Sequence, residues 1–217
     1  MIVAMPVEVA PLLDGVKAEQ VNGVDLFVMP NAVMAIGGIG EKFARRAAEV
    51  AIDWAHPKLL LSAGIVGAIS PKLKVGEVGR IREVIEVATG EIYPASGDGD
   101  WVLATSQRVS GAAEKQQLFT KFGADVVDME AAAVAQVARE RGLRFAAIKS
   151  ISDEAEFDMP PLDRFVDQGK FDTRRFLVYV ALHPRWWRTL GKIKKNSEIA
   201  AENLCRAVGH LIEVASD

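Results

Sequence analysis

Three acidic residues and two glycine-rich turns stand where a chain of alternating strands and helices would expose its chemistry. Glu8 follows the first short apolar run, Ile2 to Met5. Glu130 follows Val126 to Met129, and Asp153 follows Phe145 to Ile151 with Ser152 between. Gly37-Gly38-Ile39-Gly40 follows the third run and opens a helix, and Gly64-Ile65-Val66-Gly67 follows the fourth. Carboxyl groups hold and transfer protons, and in open parallel α/β sheets ligands sit outside the carboxyl ends of the strands. Each piece alone has an ordinary explanation. A glycine turn permits tight strand-to-helix packing. Glu130 at the first turn of a helix is favoured by the macrodipole, Asp153 suits an N-cap, and Glu8 suits an exposed loop. All five on one sheet edge would make a site.

The elements that must carry these residues alternate between short β-rich runs and helical stretches, the pattern of an α/β fold with a mixed, mostly parallel sheet flanked by helices. Val24 to Met29 and Ala32 to Ile36 flank Pro30-Asn31 and predict a hairpin. Glu41 to Trp54 has helical spacing, with Phe43, Ala47, Val50, Ala51 and Trp54 on one side. Lys58 to Ala63 predicts a strand buried on both faces and ending at Gly64. Glu77 to Val87 predicts a longer strand or strand pair that ends at Thr89-Gly90, and Pro94 to Asp100 a loop. Glu130 to Gly142 predicts a helix stopped by its glycine. From Leu162 the chain is expected to be helical, with a break at His183-Pro184.

At 217 residues the chain has the length of one domain, residues 1–217, with a helical C-terminal extension from about residue 160. The 26 Lys and Arg against 29 Asp and Glu give a net charge of −3, which argues against a nucleic-acid partner. The single Cys205 excludes an internal disulfide, and His56, His183 and His210 show no metal-ligand spacing. No motif suggests a metal or organic cofactor. With no basic stretch leading into a long apolar run, and no apolar stretch long enough to span a bilayer, a cytoplasmic location is expected.

Val127-Asp128-Met129-Glu130-Ala131-Ala132-Ala133, followed by Lys149-Ser150-Ile151-Ser152-Asp153, resembles the paired signature of the purine nucleoside phosphorylase and nucleosidase superfamily. Ala4-Met5-Pro6-Val7-Glu8-Val9 resembles the opening of the methylthioadenosine/S-adenosylhomocysteine nucleosidases, and Pro71-Lys72-Leu73-Lys74-Val75-Gly76-Glu77 a segment that follows their glycine loop. The likeness runs from residue 1 to about 155. It implies cleavage of the N-glycosidic bond of a purine nucleoside, here a 5′-substituted adenosine of the methylthioadenosine or S-adenosylhomocysteine kind. On that resemblance Asp153 is the acid at N7 of the purine and Ser152 orients it. Glu130 holds the ribose hydroxyls with Met129 packed beneath the sugar, and Glu8 activates water. The resemblance also implies a homo-oligomer, commonly a dimer, with a small-molecule nucleoside as its partner.

The chain departs from that pattern at three places. The phosphorylases place an Arg before a Gly-Ser pair in the loop after the fourth strand, whereas Ser62, Gly64 and Ile65 stand here. Phosphate would then rely on backbone N–H groups and Arg45 or Arg46, which favours water as nucleophile and leaves phosphorolysis as the alternative. The aromatic residue that stacks on adenine in the nucleosidases is absent, and Arg108 with Val109 stands at its position. Third, Met159-Pro160-Pro161, the apolar run Phe176 to Leu182 and the basic Trp186-Trp187 region are similar to the hopanoid-associated nucleosidase branch, which acts on adenosylhopane. Two tryptophans among Arg185, Arg188, Lys192, Lys194 and Lys195 suit a peripheral contact with a membrane, a subunit interface or an ordinary capping helix. An inactive nucleoside-binding module is the remaining alternative.

Overall fold

The computed structural model describes residues 1–157, 159, 162–183 and 186–214. Pro160 and Pro161 of the Pro-Pro segment, Pro184 of the expected helix break and Arg185 of the basic tail lie outside the described residues.

The first strand, Ile2–Val3 (β1), is short because Pro6 cannot donate to a ladder and instead opens a 3-10 turn, Pro6–Glu8. Ala18–Val21 (β2), Val24–Met29 (β3) and Ala32–Ile36 (β4) then form an antiparallel meander whose last hairpin lies where the sequence places it. Glu41–Ala55 (α1) follows. Leu59–Ala68 (β5) is a long central strand and runs through Gly64 and Gly67. The expected turn after residue 63 therefore does not form. Its glycines keep extended backbone, and Arg144–Asp153 (β10) pairs with them in parallel register, Lys149 with Gly64 and Asp153 with Gly67.

Val78–Glu86 (β6), Ile92–Pro94 (β7), Trp101–Thr105 (β8) and Val126–Asp128 (β9) complete the main sheet, with Ala112–Phe122 (α2) and Ala131–Glu140 (α3) between its later strands. Among the described residues five of its ten pairings are parallel and five antiparallel. Strands β5, β9, β8, β6 and β10 close into a ring, because β10 pairs with both β6 and β5. β1, β4, β3 and β2 extend from β5 as an open sheet.

Helices α1 and α3 press alanine-rich faces against the sheet. Ala44, Ala47, Ala48 and Ala51 meet Ala131, Ala132, Ala135 and Ala138 in one core with Leu60, Leu103 and Ile151. Small side chains let the two helices approach closely and fix where their N-termini emerge at the site.

The C-terminal part is not uniformly helical. A 3-10 turn, Leu162–Phe165, leads to a two-strand hairpin, Val166–Asp167 (β11) and Lys170–Phe171 (β12), and then to Thr173–Ala181 (α4). Phe165, Phe176 and Val180 form a separate small core, joined by Phe171, Tyr179 and Trp186. Trp187–Val214 (α5) follows and buries Leu204, Cys205 and Val208 against Val3, Val9 and Ile148. The hairpin turn is seated on the body of the protein, where Ile39 N–H donates to the Gly169 carbonyl at 2.8 Å. A Cβ at Gly38 would lie 2.8 Å from that carbonyl oxygen, so glycine is required for the approach.

Candidate active site

A cavity of about 310 Å³ opens where the carboxyl ends of β5, β9 and β10 meet the N-terminal turn and the C-terminal hairpin. Glu8, Ile65, Arg108, Val109, Met129 and Glu130 line it, as do Ser152 and Asp153. Gly64 lies beside it, in a smaller void with Glu8, Glu130 and Lys149. The sequence-selected residues thus share one region, although Gly64 does not wall the cavity.

Glu8 is carried by the 3-10 turn that Pro6 begins. Its carboxylate accepts hydrogen bonds from Met5 N–H at 2.9 Å and Ile65 N–H at 3.1 Å. It is buried rather than exposed, and that burial raises its pKa above the ordinary carboxylate value against the pull of those N–H groups and of Lys149. A Cβ at position 64 would lie 3.2 Å from Glu8 Oε1, so Gly64 leaves the space in which this carboxylate crosses the strand.

Glu130 occupies the N-cap of α3 rather than its first turn. Gly40 N–H, at the start of α1, donates to one of its oxygens at 2.8 Å, and Met129 N–H to the other at 3.2 Å. Burial and the neighbouring charge of Asp128 push its pKa up to about 7, with Lys149 and the Gly40 hydrogen bond opposing. Beneath it Asp128 accepts from Thr105 Oγ1 at 2.7 Å and Ala131 N–H at 3.1 Å, and pairs with Lys149 at 2.8 Å. Lys149 also donates to Ser62 Oγ at 3.0 Å. This buried cation answers the charge of the carboxylates clustered around it.

Asp153 is the last residue of β10 and caps no helix. The register between β10 and β5 slips at Ile151 and Asp153, a bulge that brings Asp153 opposite Gly67. Ser152 Oγ lies 2.8 Å from Asp153 Oδ1 and 3.2 Å from the Val66 carbonyl oxygen, and its single proton serves one of the two. Burial raises the Asp153 pKa, while the charge and hydrogen bond of Lys115 and the Ser152 contact lower it.

Lys115 escapes sequence reasoning. It sits on α2, is 1% exposed, and donates to Asp153 Oδ2 and, at 3.0 Å, to the Glu154 carbonyl. Its one faint signal is the spacing to Leu118, which puts a lysine in the buried stripe of an amphipathic helix. The roof was also unforeseen: Met159, Leu162, Val166, Phe171, Phe176 and Ile193 give the cavity a wall of apolar side chains.

Two of the arginines considered for a ligand, Arg108 and Arg45, are occupied by carboxylates. Arg108 pairs with Glu114 on the exposed rim of the cavity. Arg45 makes a forked contact with Glu140 at 2.8 and 2.9 Å and a further bond to Glu49, away from the cavity. Among the described residues no cluster of His, Cys, Asp and Glu could hold a metal ion.

A family model described as the phosphorylase superfamily matches residues 101–175. None of the curated proteins matches the sequence. The fold is shared with solved nucleosidases. The 5′-methylthioadenosine/S-adenosylhomocysteine nucleosidase of Colwellia psychrerythraea 34H, in complex with adenine, has a TM-score of 0.73 at 18% identity over 98% of this chain and 93% of that one. The corresponding Helicobacter pylori nucleosidase, with butyl-thio-DADMe-Immucillin-A, gives 0.69 at 19% identity over 96% of each chain. Futalosine hydrolase of Helicobacter pylori gives 0.68 at 18% identity, again over 96% of each.

Proposed function

We propose that this chain, which has the fold of the methylthioadenosine/S-adenosylhomocysteine nucleosidases, hydrolyses the N-glycosidic bond of a 5′-substituted adenosine and releases adenine. One observation carries the reading: three buried or half-buried carboxylates, Glu8, Glu130 and Asp153, border a single, largely apolar cavity. In it the base meets Asp153 and Lys115, and the ribose lies over Met129 with its hydroxyls on Glu130. As the C1′–N9 bond lengthens, electrons move onto the purine and positive charge grows on the ribose. The carboxylates of Glu130 and Glu8 stabilise that charge in a site poor in water. Glu8, with its basicity raised by burial, takes a proton from the water that attacks C1′.

Water is favoured over phosphate as nucleophile by the charges present. A phosphate beside Glu8 would face two further carboxylates, and Arg45 is committed to Glu49 and Glu140. The test is adenine release from methylthioadenosine, S-adenosylhomocysteine and adenosine, with and without phosphate. Phosphate-independent release supports the reading; release only with phosphate overturns it in favour of phosphorolysis.

The apolar roof favours a second, narrower reading, in which the 5′ substituent is a large hydrocarbon presented at an anionic membrane surface. Residues 173–197 contain seven Lys and Arg and no Asp or Glu. On the same segment Leu177, Val178, Leu182 and Trp187 are exposed. Such a segment combines exposed apolar side chains for insertion with positive charge for anionic headgroups. No helix among the described residues is long and apolar enough to cross a membrane.

A further inference from the structure

A fully buried lysine needs a reason, because desolvating an ammonium is costly unless its partners are well placed. Lys115 reaches its place only because residue 67 has no side chain. A Cβ there would lie 3.1 Å from Lys115 Cε, 3.2 Å from its Nζ and 3.0 Å from Asp153 Oδ2. An ion pair serving packing alone could be replaced by apolar residues at little cost. This one instead lines the cavity that holds the carboxylates.

The two members offer different things to a ligand. Of the three ammonium protons of Lys115, two are used, by Asp153 Oδ2 and the Glu154 carbonyl. Among the described residues the third has no partner, and Lys115 lines the cavity. Asp153 has one oxygen against Lys115 and the other against Ser152. Its oxygens are thus committed to those neighbours, and its remaining lone pairs can accept. The pair therefore presents a donor beside an acceptor. Adenine presents the complement on its N7 edge, the N7 acceptor beside the 6-amino donor, whereas a 6-oxopurine presents two acceptors.

We propose that Lys115, rather than Asp153, is the proton donor to N7, which leaves Asp153 to accept from the 6-amino group. This rests on the nucleosidase reading and reassigns the proton that the family resemblance gives to Asp153. When C1′–N9 breaks, its electron pair passes into the purine and one Lys115 proton passes to N7, leaving a neutral amine. Water forms the new C1′–O bond and gives its proton to Glu8. Glu8 then returns a proton to solvent and Lys115 takes one up, so the sum is nucleoside plus water to adenine plus sugar.

The experiment compares binding of adenine and 7-deazaadenine, which lacks the N7 acceptor, to the wild type and to Lys115→Met. The wild type should prefer adenine by on the order of 10- to 100-fold, the worth of a hydrogen bond from a charged donor. Lys115→Met should bind the two alike, whereas a merely structural lysine would weaken both equally and leave the preference intact. Retention of the preference in Lys115→Met, or its absence in the wild type, overturns the proposal. If Lys115→Met does not fold, the side-chain ammonium resonance of 15N-lysine-labelled wild type gives the same answer, assigned by its loss in Lys115→Arg. It should move with adenine and not with 7-deazaadenine, and the reverse overturns the proposal. N7 discrimination without adenine release from any nucleoside would discard the nucleosidase reading while leaving the recognition by Lys115 in place. Failure of the folded wild type to bind adenine would discard both.

Discussion

If Glu130 grips the ribose diol as a carboxylate, its raised pKa makes sugar affinity a function of pH. With a value of about 7, roughly a tenth of Glu130 is ionised one unit below and nine tenths one unit above. If only the ionised form binds the diol, apparent affinity should rise about tenfold between about pH 6 and pH 8. The assay is calorimetric titration with a C-nucleoside analogue of adenosine, which has no C–N glycosidic bond to cleave. A 2′,3′-dideoxy analogue serves as the control, because Glu8 and Asp153 also titrate and would affect both ligands. Only the difference between the two belongs to the diol clamp, and Glu130→Gln should abolish it. The same shift has a second reading in stability. Between about pH 4.5, the ordinary value, and about pH 7, the folded protein keeps a proton that the unfolded chain has lost, so stability falls as pH rises through that window and levels off above it. Glu130→Gln should flatten this slope. A pH-independent difference between the diol and dideoxy ligands would refute the clamp.

Glu8→Gln should lower kcat by on the order of 10²- to 10⁴-fold while leaving adenine affinity near wild type, since it removes the base for water and not a contact to the purine; equal losses of both would refute that division. Gly67→Ala should cost about 1–3 kcal/mol in denaturant unfolding and at least roughly tenfold in kcat, because the new methyl group presses on Lys115 and Asp153 together; wild-type turnover would show that the close approach is dispensable. Trp187→Ala combined with Leu182→Asp should weaken sedimentation with anionic liposomes without changing hydrolysis of a water-soluble adenosine. No liposome binding by the wild type would discard the membrane reading.

Local signals in the sequence were sufficient for the elements that chemistry must hang on. The Pro30-Asn31 hairpin, α1 and the strand before Glu130 depend on turn residues and periodicity within a few positions. What failed was the meaning of glycine in β5. A glycine after an apolar run resembles a strand end, whereas here it answers side chains arriving from distant parts of the chain. Lys115 was illegible for a related reason, since its burial depends on Asp153 and Gly67, neither near it in sequence. The tail was half legible. Its two adjacent tryptophans part company, Trp186 packing on the Phe165 core and Trp187 standing exposed with its indole N–H on the Val180 carbonyl at 2.9 Å. Composition identified the segment as amphipathic but could not apportion its faces.

The two bare positions on β5 also act as a ruler. Three residues of extended chain span about 10 Å, so Gly64 and Gly67 fix how far apart the Glu8 and Asp153–Lys115 groups cross the same rigid strand. Because β5 is paired along its length with β10, that interval cannot stretch to suit a ligand. Variation in what the protein accepts must then come from its roof, which belongs to a separate small core and rests on the body through the Gly38–Gly169 contact. The molecule thus divides its labour spatially: an inextensible gauge for the bond to be broken, and a replaceable cover for whatever is attached beyond it.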